Sequence, residues 1–216
     1  MLSAIFVFDE WLNISHLTIF TILLTLVFQV EIFDTAILDM ETTDFDAKLI
    51  HVQDSGNFKT TGAGTVHTMY GDFTGKITVD GTANLRVNRF EMRRECTLLG
   101  VGTISVDDTF HWYGGNLTGS GNLRLYGFGT IPEDIASSDY GRARFITTKR
   151  VFSIYGTFLW GGGDVSMASQ AKWEVKEFGY LRLAPGGNLI DTQPATSGST
   201  LVVSGTLTKE YSAVDN

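Results

Sequence analysis

The sequence predicts an all-β fold, a single-stranded parallel β-solenoid of about seven coils behind an N-terminal hydrophobic segment, and three observations carry that expectation. Glycine supplies 24 of 216 residues but proline only 3, a balance that suits many tight turns between strands. A Gly-Thr-apolar triplet recurs at Gly64-Thr65-Val66, Gly81-Thr82-Ala83, Gly102-Thr103-Ile104, Gly129-Thr130-Ile131, Gly156-Thr157-Phe158 and Gly205-Thr206-Leu207, with Gly179-Tyr180-Leu181 as a variant. A longer aromatic and glycine segment recurs at about twice the triplet's spacing.

The chain divides into residues 1–40, a hydrophobic leader, anchor or cap, and residues 41–216, the repeat domain. Leu17 to Val30 reads LTIFTILLTLVFQV, fourteen uncharged residues, a length that fits a secretory apolar region and falls short of the roughly twenty that span a bilayer. The flanks fit a signal poorly, because Asp9 and Glu10 stand where cations belong and no small-x-small cleavage site follows. Export signal, membrane attachment through Leu17 to Val30, and a segment capping the open end of the solenoid all stay open.

Within the repeat domain the six steps from Gly64 to Gly205 average 23.5 residues, about one solenoid coil. Glycine can take the positive φ of a corner and the β-branched Thr then begins an extended run. The longer signal aligns Phe110-His111-Trp112-Tyr113-Gly114-Gly115-Asn116 with Phe158-Leu159-Trp160-Gly161-Gly162-Gly163-Asp164 at an offset of 48. A looser copy from Val66 to Gly75 sits 44 residues earlier, and both offsets approach two coils. Alternation places Phe110 and Trp112 inward with His111 and Tyr113 outward. The same rule predicts strands at Lys76–Val79, Asn84–Val87, Asn122–Leu125, Tyr180–Leu183 and Thr200–Val203. No capped 3.6-residue period follows residue 46, so helices should be scarce there. A propeller fragment and a β-sandwich are the competing architectures, but a propeller closes on about four blades or more and this chain holds too few long repeats.

The run Phe110-x-Trp112-x-Gly114-Gly115-x-Leu117-x-Gly119-x-Gly121 resembles repeats of large surface and secreted, adhesin-like proteins of bacteria and protists, which are read as right-handed parallel β-helices. The later copy departs from that pattern, with Met167 where Gly119 stands and Ser169 where Gly121 stands. The resemblance implies a rigid, surface-displayed or secreted module with an extracellular or cell-surface location and no shared catalytic motif.

A net charge of −8 removes the electrostatic attraction on which nucleic-acid binding depends. One cysteine, Cys96, excludes an intrachain disulfide and fits an inert buried residue. No cofactor motif and no metal-ligand spacing is present: two coils would separate His67 from His111 by about 10 Å, beyond direct sharing of an ion. Asp72, Asn116 and Asp164 are expected to stack at one corner and hydrogen-bond along it. Asn116-Leu117-Thr118 and Asn13-Ile14-Ser15 fit the glycosylation acceptor pattern, making Asn116 and Asn13 candidates.

The function expected is a structural or adhesive module without catalysis, its partner a carbohydrate or another surface protein. A carbohydrate-binding or polysaccharide-cleaving β-helix is the first alternative, a membrane-tethered ectodomain fragment the second. Contact candidates are the outward aromatics Tyr113, Tyr126 and Tyr140 with Asp139 and Arg142. Cleavage would need converging carboxylates. Asp107 and Asp108, being adjacent in a strand, should leave only one outward, while Glu133, Asp134 and Asp139 lie with Arg142 and Arg144 in the loop Pro132 to Arg144. That loop and Pro185 to Ser199 are the expected side insertions.

Overall fold

The computed structural model describes residues 5–8, 29–32, 37–41, 45–53, 56–61, 65–73, 75–93, 96–132, 144–146, 149–168, 170–185, 188–191 and 198–210. These residues form a 14-stranded and an 8-stranded sheet, in which every pairing is parallel. The predicted parallel β-solenoid is the fold. No helix occurs among the described residues.

Each coil lays down a first face, bends, lays down a second face, and turns onto a third. In Phe45–Val52, Thr65–Phe73, Asn84–Met92 and Thr103–Trp112 one long strand covers the first two faces. Further along, the bend becomes a break: Asn122–Leu125 is followed by Phe128–Ile131, Val151–Ile154 by Thr157–Trp160, Lys172–Val175 by Tyr180–Leu183, and Thr200–Val203 by Thr206–Lys209. The third face stacks Ile37–Glu41, Asn57–Thr61, Lys76–Val79, Thr97–Leu99, Gly115–Leu117, Arg144–Ile146, Asp164–Met167 and Asn188–Asp191. Seven coils are complete between Phe45 and Asp191, and Ile5–Phe8 and Gln29–Ile32 extend the larger sheet on the N-terminal side.

The alternation expected of each strand puts one apolar column inside each face. Val66, Leu85, Ile104, Leu123, Phe152 and Trp173 fill the first, Phe90, Phe110, Phe158 and Leu181 the second, and Phe58, Ile77, Leu98, Leu117, Ile146 and Met167 the third, all of them buried. Aromatic rings run along the interior: Phe73 to Phe90 at 5.1 Å, Phe90 to Phe110 at 5.4 Å, then Phe152, Phe158, Trp160 and Trp173, the two indoles stacked at 5.4 Å and 7°. Burying each such side chain contributes about 2–3 kcal/mol before the entropy of ordering it is subtracted.

The coil length differs from the expected average. Thr65, Asn84, Thr103 and Asn122 are successive register partners, so the central coils advance by 19 residues. Asn122, Val151, Lys172 and Thr200 are the next partners, and the longer steps contain the two loops predicted as insertions, Pro132 to Arg144 and Pro185 to Ser199. The glycine triplets accordingly do not form one column. Gly102 shares its corner with Ala83 and Gly121, whereas Gly156 shares another with Gly127, Gly179 and Gly205. Gly129 lies inside the second face between Phe110 and Phe158, where an added Cβ would strike the Phe158 ring. Gly64 lies outside the described residues. The positive-φ column is a third set, Gly81, Gly100 and Gly119, at φ of 62°, 96° and 84°.

Three alignments change with this register. The 48-residue offset holds for Phe110 and Phe158, which are two rungs apart in one column. The 44-residue copy does not: Phe110 aligns through Phe90 with Gly71, and His67 aligns with Arg86 and Ser105 rather than with His111. Asp72 stands in register with Glu91 on the second face, Asn116 with Phe145 on the third, and Asp164 two positions earlier beside Asn188, so these residues form no common stack. The turn leading into the third face is longer after Trp160 than after Trp112, which shifts everything beyond the tryptophans.

Candidate functional site

Outward positions fall into the same columns as the core, so chemistry on this surface comes as ladders with a rung spacing of about 4.8 Å. On the second face Glu31, His51, Asp72, Glu91 and His111 occupy successive rungs. Glu91 is only 3% exposed, yet two guanidiniums reach it, Arg89 at 3.1 Å and Arg93 at 2.6 Å. A carboxylate so held is an anchor for the corner rather than a free base. Arg93 lies 5.8 Å over the Tyr113 ring, and Tyr113 stacks on His111 at 5.9 Å. Burial pushes the His111 imidazole below its ordinary pKa, with Arg89 acting in the same direction and Glu91 opposing. His51 exchanges a 2.8 Å hydrogen bond with Gln53.

The corner between the first and second faces carries a different ladder. Tyr126 and Tyr155 stack at 4.9 Å and 20°, and the Lys176 ammonium sits 5.9 Å from the Tyr155 centroid on the next rung. Phe128 is half-exposed beside them, and Phe178 projects at 89% exposure from a two-residue insertion that is closed by a 2.8 Å bond from Gly179 N–H to the Lys176 carbonyl. Tyr155 thus has one ladder neighbour stacked on its ring and a cation close by, and it stays exposed to solvent.

On the first face Arg86 and Asp107 pair at 2.5 Å and line a shallow depression of about 420 Å³ with Thr65 and Asn88. Asp107 and Asp108 occupy a two-residue bulge between Val106 and Thr109, and both are at the surface. The expectation that one of them would point inward fails, because the bulge interrupts the alternation. Further along, Glu174 bonds Ser153 at 3.0 Å and Lys172 at 2.5 Å, with Lys176 also in contact. Burial opposes ionisation of Glu174, but these three donors together outweigh it and hold the carboxyl at about 2.

The buried Arg150 takes the corner position that glycine holds at Gly102 and Gly121. Its guanidinium reaches back two coils, donating to the Thr118 carbonyl and, at 3.1 Å, to the Gly100 carbonyl, and burial lowers its pKa to about 10 despite the attraction of Asp80. It ties three coils together through the Thr118 carbonyl and the Gly100 carbonyl, which also accepts from the Gly121 N–H at 3.1 Å.

Of the residues singled out in the sequence, Tyr113 and Tyr126 are at the surface but at opposite ends of the second face. They do not line one groove. Tyr140, Asp139, Arg142 and Asn13 lie outside the described residues. Asn116 faces outward from the middle of Gly115–Leu117, paired on both sides by Thr97 and Phe145. Cys96 is buried, as expected. Among the described residues no group of three or more His, Cys, Asp or Glu side chains converges as a metal ion would require. Sequence reasoning missed Tyr155, which the repeated dipeptides Tyr126-Gly127 and Tyr155-Gly156 signal, and the Glu91 anchor, which nothing in the local pattern marks.

Comparison of the chain with family models, with curated proteins and with solved structures finds no match. No match supports the likeness to surface-protein repeats, and the parallel solenoid with its Phe110 and Phe158 column is what the structure shows.

Proposed function

We propose that the chain is a rigid structural or adhesive module of a surface-exposed or secreted protein. The observation that carries this reading is the use made of outward polar groups, several of which bond along the ladder to the next rung while Glu91 and Glu174 also bond neighbours within their own coil. Arg86 pairs with Asp107, Ser153 with Glu174, Asn188 with Asp164, Tyr180 with Thr208, and Arg182 with Glu210, each pair one coil apart. A surface spent on its own neighbours stiffens the rod. It leaves contact with partners to the corner aromatics and the two inserted loops.

Carbohydrate contact is the second reading, favoured by the exposed Tyr126, Tyr155, Phe128 and Phe178 at one corner. Beads coated with the protein test both. Adhesion to intact cells or immobilised polysaccharide that survives in a Tyr126→Ala/Phe178→Ala variant supports adhesion through other surfaces, and adhesion abolished by that variant assigns the corner. Beads that adhere to nothing, together with a chain that a membrane-impermeant label cannot reach on intact source cells, would overturn the proposal.

A further inference from the structure

The corner between the first and second faces repeats its residue types from coil to coil. Tyr126, Tyr155 and Lys176 follow directly on the register partners Leu125, Ile154 and Val175, so they stand in one outward column. Phe128 and Thr157 are themselves register partners and form a second outward column beyond the bend. Between the columns two successive coils have only glycine, because an added Cβ would strike the Asp108 carbonyl at Gly127 and the Gly127 carbonyl at Gly156. A strip of backbone without side chains therefore runs along the solenoid axis, with Tyr126 and Tyr155 on one side and Phe128 and Thr157 on the other.

The next coil closes the strip. Two residues join Ile154 to Thr157, but four join their partners Val175 and Tyr180, and the longer turn holds Phe178 out at 89% exposure. Asp108 stands at the opposite end, three rungs away, so the strip is about 14 Å long. Its rings are positioned in advance: Tyr126 and Tyr155 are stacked at 4.9 Å, and a 2.8 Å bond from Gly179 N–H to the Lys176 carbonyl closes the Phe178 turn. Little ordering entropy then opposes binding there. The charges decide the kind of ligand. Asp107 and Lys176, the charged members of the tyrosine column, are paired with Arg86 and Glu174. Asp108 and Glu177 are exposed and form no ion pair among the described residues, and against them stands one unpaired cation, Arg124, two residues before Tyr126. In a chain of net charge −8 this balance disfavours a polyanion or an anionic lipid surface.

We propose that this corner binds a neutral oligosaccharide lying along the solenoid axis from Asp108 to Phe178, an inference that rests on the carbohydrate reading above and names its ligand. Phe178 and Phe128 supply apolar ring surface for the C–H faces of the sugars. The phenol hydroxyls of Tyr126 and Tyr155 and the carboxylates of Asp108 and Glu177 supply partners for sugar hydroxyls. A strip three rungs long takes a chain of sugars rather than a single one.

Titration calorimetry with cellohexaose, mannohexaose and maltohexaose tests this, beside hexagalacturonate as the acidic probe and phosphatidylcholine vesicles as the lipid one. The expected result is that the parent binds at least one neutral hexasaccharide and binds the corresponding monosaccharide far more weakly. Phe178→Ala and Tyr155→Ala should each lower that affinity about tenfold or more, with circular dichroism unchanged, while Phe178→Trp keeps it. Hexagalacturonate bound in preference to the neutral chains would leave the carbohydrate reading standing and overturn the neutral ligand. Neutral binding at full strength in both folded alanine variants would overturn the corner as the site. A parent that binds no sugar would overturn the inference and the carbohydrate reading together, and vesicle binding lost in Phe178→Ala without any sugar binding would assign the corner to lipid instead.

Discussion

Replacing Trp173 by Ala probes the interior where it is most concentrated. The ring is fully buried, 5.1 Å from Phe152, 5.7 Å from Phe158 and stacked at 5.4 Å on Trp160. Its removal forfeits the transfer energy and leaves a cavity that three rings and two sheets cannot close, for a cost of about 3–5 kcal/mol. The indole N–H is buried without an acceptor, so Trp173→Phe loses no hydrogen bond and should cost about 1–2 kcal/mol. Because each coil of a solenoid is stabilised by its neighbours, the damage should be local. Urea unfolding followed by circular dichroism measures the magnitude, and hydrogen exchange locates it. In Trp173→Ala, amides of Val151–Ile154, Thr157–Trp160 and Lys172–Val175 should lose protection while Asn84–Met92 and Thr103–Trp112 keep theirs. A cost under about 1 kcal/mol, or protection lost evenly along the chain, would refute nearest-neighbour stacking around this tryptophan.

Other perturbations test separate parts of the account. Gly100→Ala should destabilise by about 2–4 kcal/mol in thermal unfolding, because φ is +96° there and the new Cβ would strike the Val79 carbonyl. Phe178→Ala, at an 89% exposed tip, should change stability by less than about 0.5 kcal/mol. Glu174 is held at about 2 instead of its ordinary 4.5, so the stability it contributes is fully present above pH 4.5 and is lost as pH falls through 2. Glu174→Gln should therefore cost about 1–2 kcal/mol at neutral pH, allowing for the partly exposed lysines, and the difference from the parent should vanish towards pH 2 in acid titrations.

The fold class was legible because alternation and glycine punctuation are local properties. Lys76–Val79, Asn122–Leu125, Tyr180–Leu183 and Thr200–Val203 form strands with the predicted bounds. The coil length was harder to read. Gly62, Gly81, Gly100 and Gly119 recur at a constant 19 residues in the sequence, but the Gly-Thr triplet mixes glycines from two corners with the interior Gly129, and the two insertions lengthen later steps. The average of 23.5 described no individual coil of the central region.

Which outward residues meet at one corner was harder to read for a related reason. Alternation tells inward from outward, and so places Phe110 inside and Tyr113 outside, but it does not say at which corner an outward residue emerges. That depends on the register between coils, which turn lengths set: the turn between Trp160 and Asp164 holds more residues than that between Trp112 and Gly115. Tyr113 and Tyr126, thirteen residues apart, consequently reach different corners, while Tyr126 and Tyr155, twenty-nine apart, stack. The Arg150 clamp was not foreseeable from a pattern that reserves its corner for glycine.

The most direct test of the in-register solenoid is a set of spin-label distances from Thr200 to Thr65, to Asn84 and to Thr103, three outward positions in one column, with Cys96 buried and out of the label's reach. Six, five and four rungs at about 4.8 Å predict backbone separations of about 29, 24 and 19 Å, decreasing by equal steps. Distances that fall in that arithmetic order establish parallel stacking with a 19-residue central coil. Distances that do not decrease by one rung at each move would contradict it.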